Sequence, residues 1–296
     1  FLPYLVFFDK KCMLDFIKVE TIKNQEMFIV FNQNKRIKKN EKIDLCSNKM
    51  LLQDNTFLYL AIILSPLISS IIVGLFGWAV GRKASHTLAI LGVLISTVGS
   101  YILLYRAHCE GLSFDGSLYT WLTVGDQSFS VGLLVDKLSS VMLVVVTSVS
   151  LMVHIYTIGY MAEEEGYQRF FSYISLFTFM MLMLVLSNNF VQLFFGWEGV
   201  GVCSYLLIGY YNHKDSANKA ALKAFVVNRV GDFALIIGIA IIIIYAGSLE
   251  YANVFASSGA LASQNYDIFG MEFGLLDVIC LLLFIGCMGK SAQIGL

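Results

Sequence analysis

The stretch AALKAFVVNRVGDFALIIGIAIIIIYA, residues 220–246, decides how the chain is read. It is apolar enough and long enough to cross a bilayer, which takes ~20 mostly apolar residues. Yet it holds Lys223, Arg229 and Asp232 within its length. Six more stretches approach the same requirement, roughly 57–80, 86–105, 133–158, 170–187, 190–211 and 273–291. The composition agrees. Hydrophobic types make up 57% of the 296 residues and charged types 14%, against ~25% charged in a soluble domain. The expected fold is an all-α polytopic membrane protein with about seven transmembrane helices.

The net charge of −1 averages two unlike segments. Residues 1–50 carry ten Lys and Arg against six acids, a net +4, and residues 51–296 carry ten against fifteen, a net −5. The chain is no basic nucleic-acid binder. Its six Cys show no CxxC or Cys/His spacing and read as small core hydrophobes. There is no GxGxxG after a strand, no CxxCH, no iron–sulfur spacing, no Walker A and no nucleophile elbow. The expectation is a chain that moves something through a membrane and carries no cofactor or metal of its own.

Between the spans, segment 111–132 alternates turn residues with Tyr119, Trp121 and Phe129. It reads as a small hairpin or loop with interfacial aromatics. Segment 247–272 reads as a polar extramembrane loop. Arg82, Lys83, Arg169, Lys214, Lys219 and Lys223 all fall on one side of the spans, and Arg106 and Lys137 on the other. The first side is therefore expected to face the cytoplasm or matrix. The acidic run Glu163–Glu165 falls there too and counts little. Gly74, Gly77 and Gly81 either permit close helix packing or loosen the helix. Residues 1–49 fit neither a signal peptide nor the orientation of the first span. They read as a doubtful basic extension, with translation expected to begin at Met50 and the membrane domain to occupy 50–296. The end at Gly295-Leu296, without a polar tail, reads as a fragment's end.

Ionisable groups inside spans are costly, about 3 kcal/mol each near the bilayer centre, and are functional candidates by default. Glu198 lies in Leu193-Phe194-Phe195-Gly196-Trp197-Glu198-Gly199-Val200-Gly201. Apolar surroundings disfavour its charge unless a cation pairs with it, and the neighbouring glycines let one approach. Lys290 follows Gly286 and Gly289 and precedes Ser291 and Gln293, a pattern that suggests a loosened helix at depth. A Lys that switches between a carboxylate and a water path can carry a proton. The bland alternatives are a static ion pair and a snorkelling helix-end Lys. Lys219 and Lys223 share a helix face, and Lys219 reads as a positive-inside anchor. Arg229 and Asp232, three apart, pair as structure or couple to function. Asp136 suits a helix N-terminus. His154 is either a proton shuttle or a packing residue.

Taken together these motifs resemble one family. Asp136-Lys137-Leu138-Ser139-Ser140-Val141-Met142 and Val153-His154-Ile155-Tyr156-Thr157-Ile158-Gly159-Tyr160-Met161 begin the match. Phe195 to Gly201, Ser204 to Ile208, Asn218 to Phe225, Asn228-Arg229-Val230-Gly231-Asp232 and Met288-Gly289-Lys290-Ser291-Ala292-Gln293 continue it, in order, over roughly 57–296. The chain resembles the antiporter-like subunit (chain 5, subunit L) of proton-pumping NADH–quinone oxidoreductase, respiratory complex I. The resemblance implies an antiporter-like inverted-repeat fold, truncated after the first repeat's Lys helix. It also implies proton translocation coupled to quinone reduction through buried Glu and Lys. It assigns Glu198, Lys290, Lys223, Asp232 and Arg229 to that path, with Asp136 and His154 as accessory candidates. It leaves NADH, FMN, iron–sulfur clusters and quinone to partner subunits. The implied partners are other membrane-arm subunits, especially the adjacent antiporter-like one, and the lipid bilayer. The implied location is the bacterial plasma membrane, with the mitochondrial inner membrane as alternative. The rivals are the large subunit of a multisubunit Na+/H+ antiporter and a non-functional partial gene product.

Overall fold

The computed structural model describes residues 41–124, 127–268, 271–291 and 293. The chain falls into two units, Phe1–Leu58 and Tyr59–Leu296. Of the first, only the helical backbone of 41–58 is described, with side chains from residue 56. The expectations for residues 1–40 lie outside the described residues. All other described residues belong to the second unit.

The element order is α1 (Glu41–Cys109), β1 (Phe114–Val124), β2 (Gln127–Val135), α2 (Lys137–Tyr160), α3 (Tyr167–Val185) and α4 (Phe190–Ile208). Then come α5 (Asp215–Ala246), α6 (Tyr251–Ala256), α7 (Ser258–Ala262), β3 (Asn265–Ile268), β4 (Met271–Gly274) and α8 (Leu275–Ser291). Among the described residues five helices are long and apolar enough to cross a membrane: Thr56–Cys109, α2, α3, α4 and α5. Seven spans were expected. Two of them lie within α1, which is broken at Gly81 (φ 81, ψ 170). The seventh begins later than expected, because residues 273–274 belong to β4, and α8 has 17 residues.

The break at Gly81 folds α1 into a helical hairpin. Positive φ needs no side chain there, so Gly81 serves the turn. Gly74 and Gly77 serve packing, since an added Cβ would lie 2.7 Å from Ser172 Oγ and 2.8 Å from Gln168 Cβ, both on α3. Within the hairpin the Ser65 hydroxyl donates to the Gly92 carbonyl at 2.8 Å. Pro66 lacks an N–H, so the Ile62 carbonyl four residues earlier loses its helical donor. The Ser96 hydroxyl, from the returning half, donates to that carbonyl instead. In lipid no water could do so.

The segment expected as a hairpin is one, with β1 and β2 antiparallel and register shifts between Ser117 and Tyr119 and between Thr120 and Leu122. It is latched to the turn between α3 and α4. The Leu134 N–H donates to the Leu186 carbonyl at 2.9 Å, Asn189 Nδ2 to the Ser130 carbonyl at 3.0 Å, and the Gly132 N–H to Gln192 Oε1 at 2.8 Å. Segment 247–272 is more ordered than a loop. It contains α6, α7, β3 and the start of β4, which pairs with β3. Leu249, Val254 and Leu261 are buried there against Phe190, Ile242, Leu275 and Ile279. Burial pushes the Tyr251 phenol up, which keeps it protonated, and it shares a hydrogen bond of 3.0 Å with Ser187 Oγ.

At the opposite end the Gly81 turn, the 161–166 loop and the 209–214 loop converge. Arg82 donates to the Ala162 carbonyl at 2.6 Å and the Glu164 carbonyl at 2.9 Å. Arg169 donates to the Tyr210 carbonyl at 3.2 Å. Val73, Ala89, Met161, Tyr167, Phe171 and Tyr210 form the core beneath. Large apolar side chains such as Leu75, Trp78, Tyr156, Phe233 and Ile244 are exposed along the spans, as a lipid-facing surface requires.

Candidate functional site

Glu198 projects from α4, Arg229 and Asp232 from α5, and Lys290 from the end of α8. Each helix is positioned by a local feature. Asn189 caps α4, its side chain accepting from the Gln192 N–H at 2.8 Å. Glycines bring α5 and α8 together. An added Cβ on Gly231 would sit 3.1 Å from the Gly286 carbonyl oxygen and 3.2 Å from Gly289 Cα. Gly286 and Gly289 therefore serve close packing. The helix runs through them to Ser291, and the loosening expected in the run Lys290–Gln293 lies partly outside the described residues.

That approach assembles four charges into one cluster. Glu198 Oε2 is ion-paired with Arg229 NH1. Arg229 Nε lies 3.7 Å from Asp232 Oδ2. Trp197 Nε1 donates to Asp232 Oδ1 at 2.7 Å, which holds the one fully buried carboxylate of the group. The Arg229 guanidinium lies 4.6 Å from the centre of the Phe225 ring. Lys290 Nζ lies 5.7 Å from the centre of the Trp197 ring, and the two contacts are of a kind that favours a cation. An added Cβ on Gly201 would come within 2.6 Å of Lys290 Nζ. Gly201 is thus the place where the ammonium needs a missing side chain.

Two carboxylates and two cations leave the cluster formally neutral, which limits the cost of holding it away from water. The pairing is uneven. Arg229 is paired with Glu198 and stands 3.7 Å from Asp232, whereas Lys290 Nζ has no ion pair of its own; Lys290 Nζ, Arg229 Nε and Asp232 Oδ2 are all buried with no hydrogen-bond partner among the described residues. It feels the attraction of Asp232 and the repulsion of Arg229. Glu198 is paired with Arg229 rather than with Lys290.

The other expected site residues lie elsewhere. Lys223 is exposed on α5, in the turns that precede Arg229. Asp136 is the N-cap of α2, accepting from the Ser139 N–H at 2.7 Å while Ser139 Oγ accepts from the Asp136 N–H at 2.8 Å. His154 is fully buried against Ser150 and Ser175. Sequence reasoning missed Trp197 as the donor to Asp232, although its place beside Glu198 offered the signal. The glycines beside Glu198 are expected to let a cation approach, and Gly201 is where Lys290 comes in; Gly231, which admits α8, was missed. Among the described residues no three His, Cys, Asp or Glu side chains gather as metal ligands would.

The site is thus a paired Glu and Arg with a buried Lys between glycine-packed helices of a membrane bundle. The solved structures agree on the fold. The Mrp complex from Dietzia sp. matches with a TM-score of 0.65 at 21% identity, over 81% of this chain and 24% of that one. An archaeal membrane-bound sulfane sulfur reductase matches with a TM-score of 0.63 at 16% identity, over 77% of this chain and 43% of that one. Residues 121–171 match the family described as NADH-ubiquinone oxidoreductase (complex I), chain 5 N-terminus. Residues 187–296 match NADH:quinone oxidoreductase/Mrp antiporter, TM. The NADH-quinone oxidoreductase subunit L of Neisseria meningitidis serogroup A is 57% identical over 243 residues, 81% of this chain and 36% of the relative. That of Rickettsia felis is 52% identical over 81% of this chain and 37% of the relative. NADH-ubiquinone oxidoreductase chain 5 of Dictyostelium discoideum is 41% identical over 81% and 36%. The chain belongs to the subunit L/chain 5 family of NADH–quinone oxidoreductase. It spans little more than a third of the length of these relatives.

Proposed function

We propose that the chain forms part of a proton-translocating membrane-arm subunit of NADH:quinone oxidoreductase, and that Glu198, Arg229, Asp232 and Lys290 carry the proton-coupled step. Other membrane-arm subunits are its partners, an adjacent antiporter-like one above all. NADH, FMN, iron–sulfur clusters and quinone are held by other subunits. The face bearing Arg82, Arg169 and Lys214 is the cytoplasmic or matrix face of a bacterial plasma or mitochondrial inner membrane.

The observation that carries this reading is the buried Lys290 ammonium with no hydrogen-bond partner among the described residues, set beside a carboxylate pair already engaged by Arg229. If Arg229 turns toward Asp232, Glu198 is released and Lys290 gains a counter-charge. If Arg229 returns, Lys290 loses it and yields a proton. The energies are of the right order. A tenfold change in proton affinity is ~1.4 kcal/mol, and one charge crossing 100 mV is ~2.3 kcal/mol. A swing of about a hundredfold therefore matches the work of crossing the membrane. Lys223, exposed toward the basic face, is the proton-supplying residue of this scheme, and Asp136 is a structural cap outside it. The Na+/H+ antiporter reading is second, because the named relatives at 41–57% identity are oxidoreductase subunits.

The test is Glu198→Gln in the intact complex, assayed in membrane vesicles. Proton pumping per NADH oxidised falls at least about tenfold, since a neutral amide can neither hold Arg229 nor exchange with Lys290. Near-normal pumping removes Glu198 from the mechanism.

A further inference from the structure

Trp197 and Glu198 are neighbours on α4, so their side chains leave the helix about 100° apart. One turn of α4 therefore presents a carboxylate to Arg229 and an indole to Asp232 and Lys290. The indole offers two unlike surfaces. Its N–H, at the edge, only donates, and its face is the negative side of the ring quadrupole. The edge meets the anion, with Nε1 2.7 Å from Asp232 Oδ1. The face meets the cation, with Lys290 Nζ 5.7 Å from the ring centre. Asp232 is buried. With Oδ1 on the indole, its Oδ2 stands 3.7 Å from Arg229 Nε. Asp232 attracts Lys290, yet neither of its oxygens is within hydrogen-bond reach of Lys290 Nζ.

We propose that Trp197 assigns the partners within the cluster: by fixing Asp232 it reserves that carboxylate for Arg229 and leaves Lys290 to exchange with Glu198. Trp197 is thus a positioning residue, acting through Asp232. The inference rests on the proton-translocating reading above and adds to it the residue that selects the pairs. The exchange described there needs a free Lys290 each time Arg229 swings between Glu198 and Asp232. An ammonium beside an unfixed carboxylate closes onto it, because opposite charges attract strongly where water is scarce. A closed Lys290–Asp232 pair would leave Arg229 on Glu198 and stall the exchange.

An indole suits this role better than other donors. Its N–H does not titrate and has no lone pair to take a proton, so it holds Asp232 in both protonation states of Lys290. Its face gives the ammonium a weak, non-bonding resting place, from which a carboxylate can draw it. The charged groups that face Lys290 are Asp232 and Arg229, both from α5. Glu198 of α4 is engaged by Arg229, and Cys287 lies one turn back on α8. Gly201, one turn beyond Trp197 on α4, leaves the space that the ammonium occupies.

Trp197→Phe in the intact complex tests the proposal, since it keeps an aromatic face beside Lys290 and removes the N–H. The complex assembles. In its structure by electron cryo-microscopy, Lys290 Nζ lies within about 4 Å of an Asp232 oxygen, the reach of an ion pair. Pumping per NADH falls about tenfold and its pH profile moves upward by about one unit, because an ammonium beside a carboxylate gives up its proton less readily. In Trp197→Phe/Asp232→Asn the profile matches that of Asp232→Asn alone, as it must if Trp197 acts through Asp232. A Lys290 still apart from Asp232 in Trp197→Phe, or an unchanged pH profile, overturns the proposal. Failure of Trp197→Phe to assemble also overturns it, because the indole is then packing. If Glu198→Gln stops pumping and Trp197→Phe leaves the profile unchanged, this inference alone fails. If Glu198→Gln leaves pumping intact, the translocation reading fails, and the Lys290–Asp232 distance in Trp197→Phe still decides the pairing.

Discussion

The two polar regions of the bundle solve the same problem by different means. Between α4, α5 and α8, charge is held by opposite charge, and the pairing is incomplete at Lys290. Between α2 and α3, neutral hydroxyls and one imidazole satisfy each other and the helix carbonyls four residues back. Thr178 Oγ1 donates to the Ile174 carbonyl at 3.0 Å, for example. A hydroxyl can be satisfied inside its own helix, so Ser and Thr are tolerated at depth wherever they fall. An ammonium cannot, so its neighbours must come from other helices. The charged region therefore depends on helix placement and the hydroxyl region on local geometry.

Substitutions that move helices break this contrast most strongly. Gly231→Leu forces a side chain against the Gly286 carbonyl and Gly289 backbone, which cannot give way. It costs ~3 kcal/mol or more, the upper range for overpacking, and displaces Lys290. The yield of assembled complex and its pumping fall together, whereas a hydroxyl-region variant such as Ser175→Ala assembles normally. Trp197→Phe comes next. It keeps the ring beside Lys290 but strips the donor from Asp232 Oδ1, a loss of ~1.5–3 kcal/mol for a bond to a charged acceptor. Thermal denaturation of the purified complex registers the loss, and coupling falls more than stability alone predicts. Asp136→Ala is the smallest. It removes the α2 cap for about 1 kcal/mol, lowers thermal stability slightly and leaves pumping per NADH unchanged, while Asp136→Ser restores the stability.

Much of this was legible in the residues. The apolar runs placed the helices to within a few residues, because lipid imposes length and composition on every span. The 111–132 hairpin was legible in its turn residues and aromatics. Glu198, Arg229, Asp232 and Lys290 stood out because charge is rare in such runs. Which charge pairs with which was not legible. Arg229 and Lys290 are equally good partners for Glu198 on paper, and the choice depends on Gly201, Gly231, Gly286 and Gly289, whose effect is on helix spacing. The break near Gly81 was legible as the gap between the spans 57–80 and 86–105, but the positive φ of Gly81 was not, since it is a property of the hairpin. The residues alone group Lys223 with Glu198 and mark Asp136 as an accessory suited to a helix N-terminus. Their positions, an exposed surface and a helix cap, set both apart from Glu198.

The most direct test of the account is the number of protons pumped per NADH oxidised by the intact complex carrying Lys290→Met, measured beside Lys290→Arg. Met fills the space by Trp197 and Gly201 without a charge, and Arg keeps the charge but does not release a proton. The account predicts that both variants assemble and that both lose the protons carried through this site. An unchanged proton-to-NADH ratio in Lys290→Met, or full function in Lys290→Arg, would contradict it.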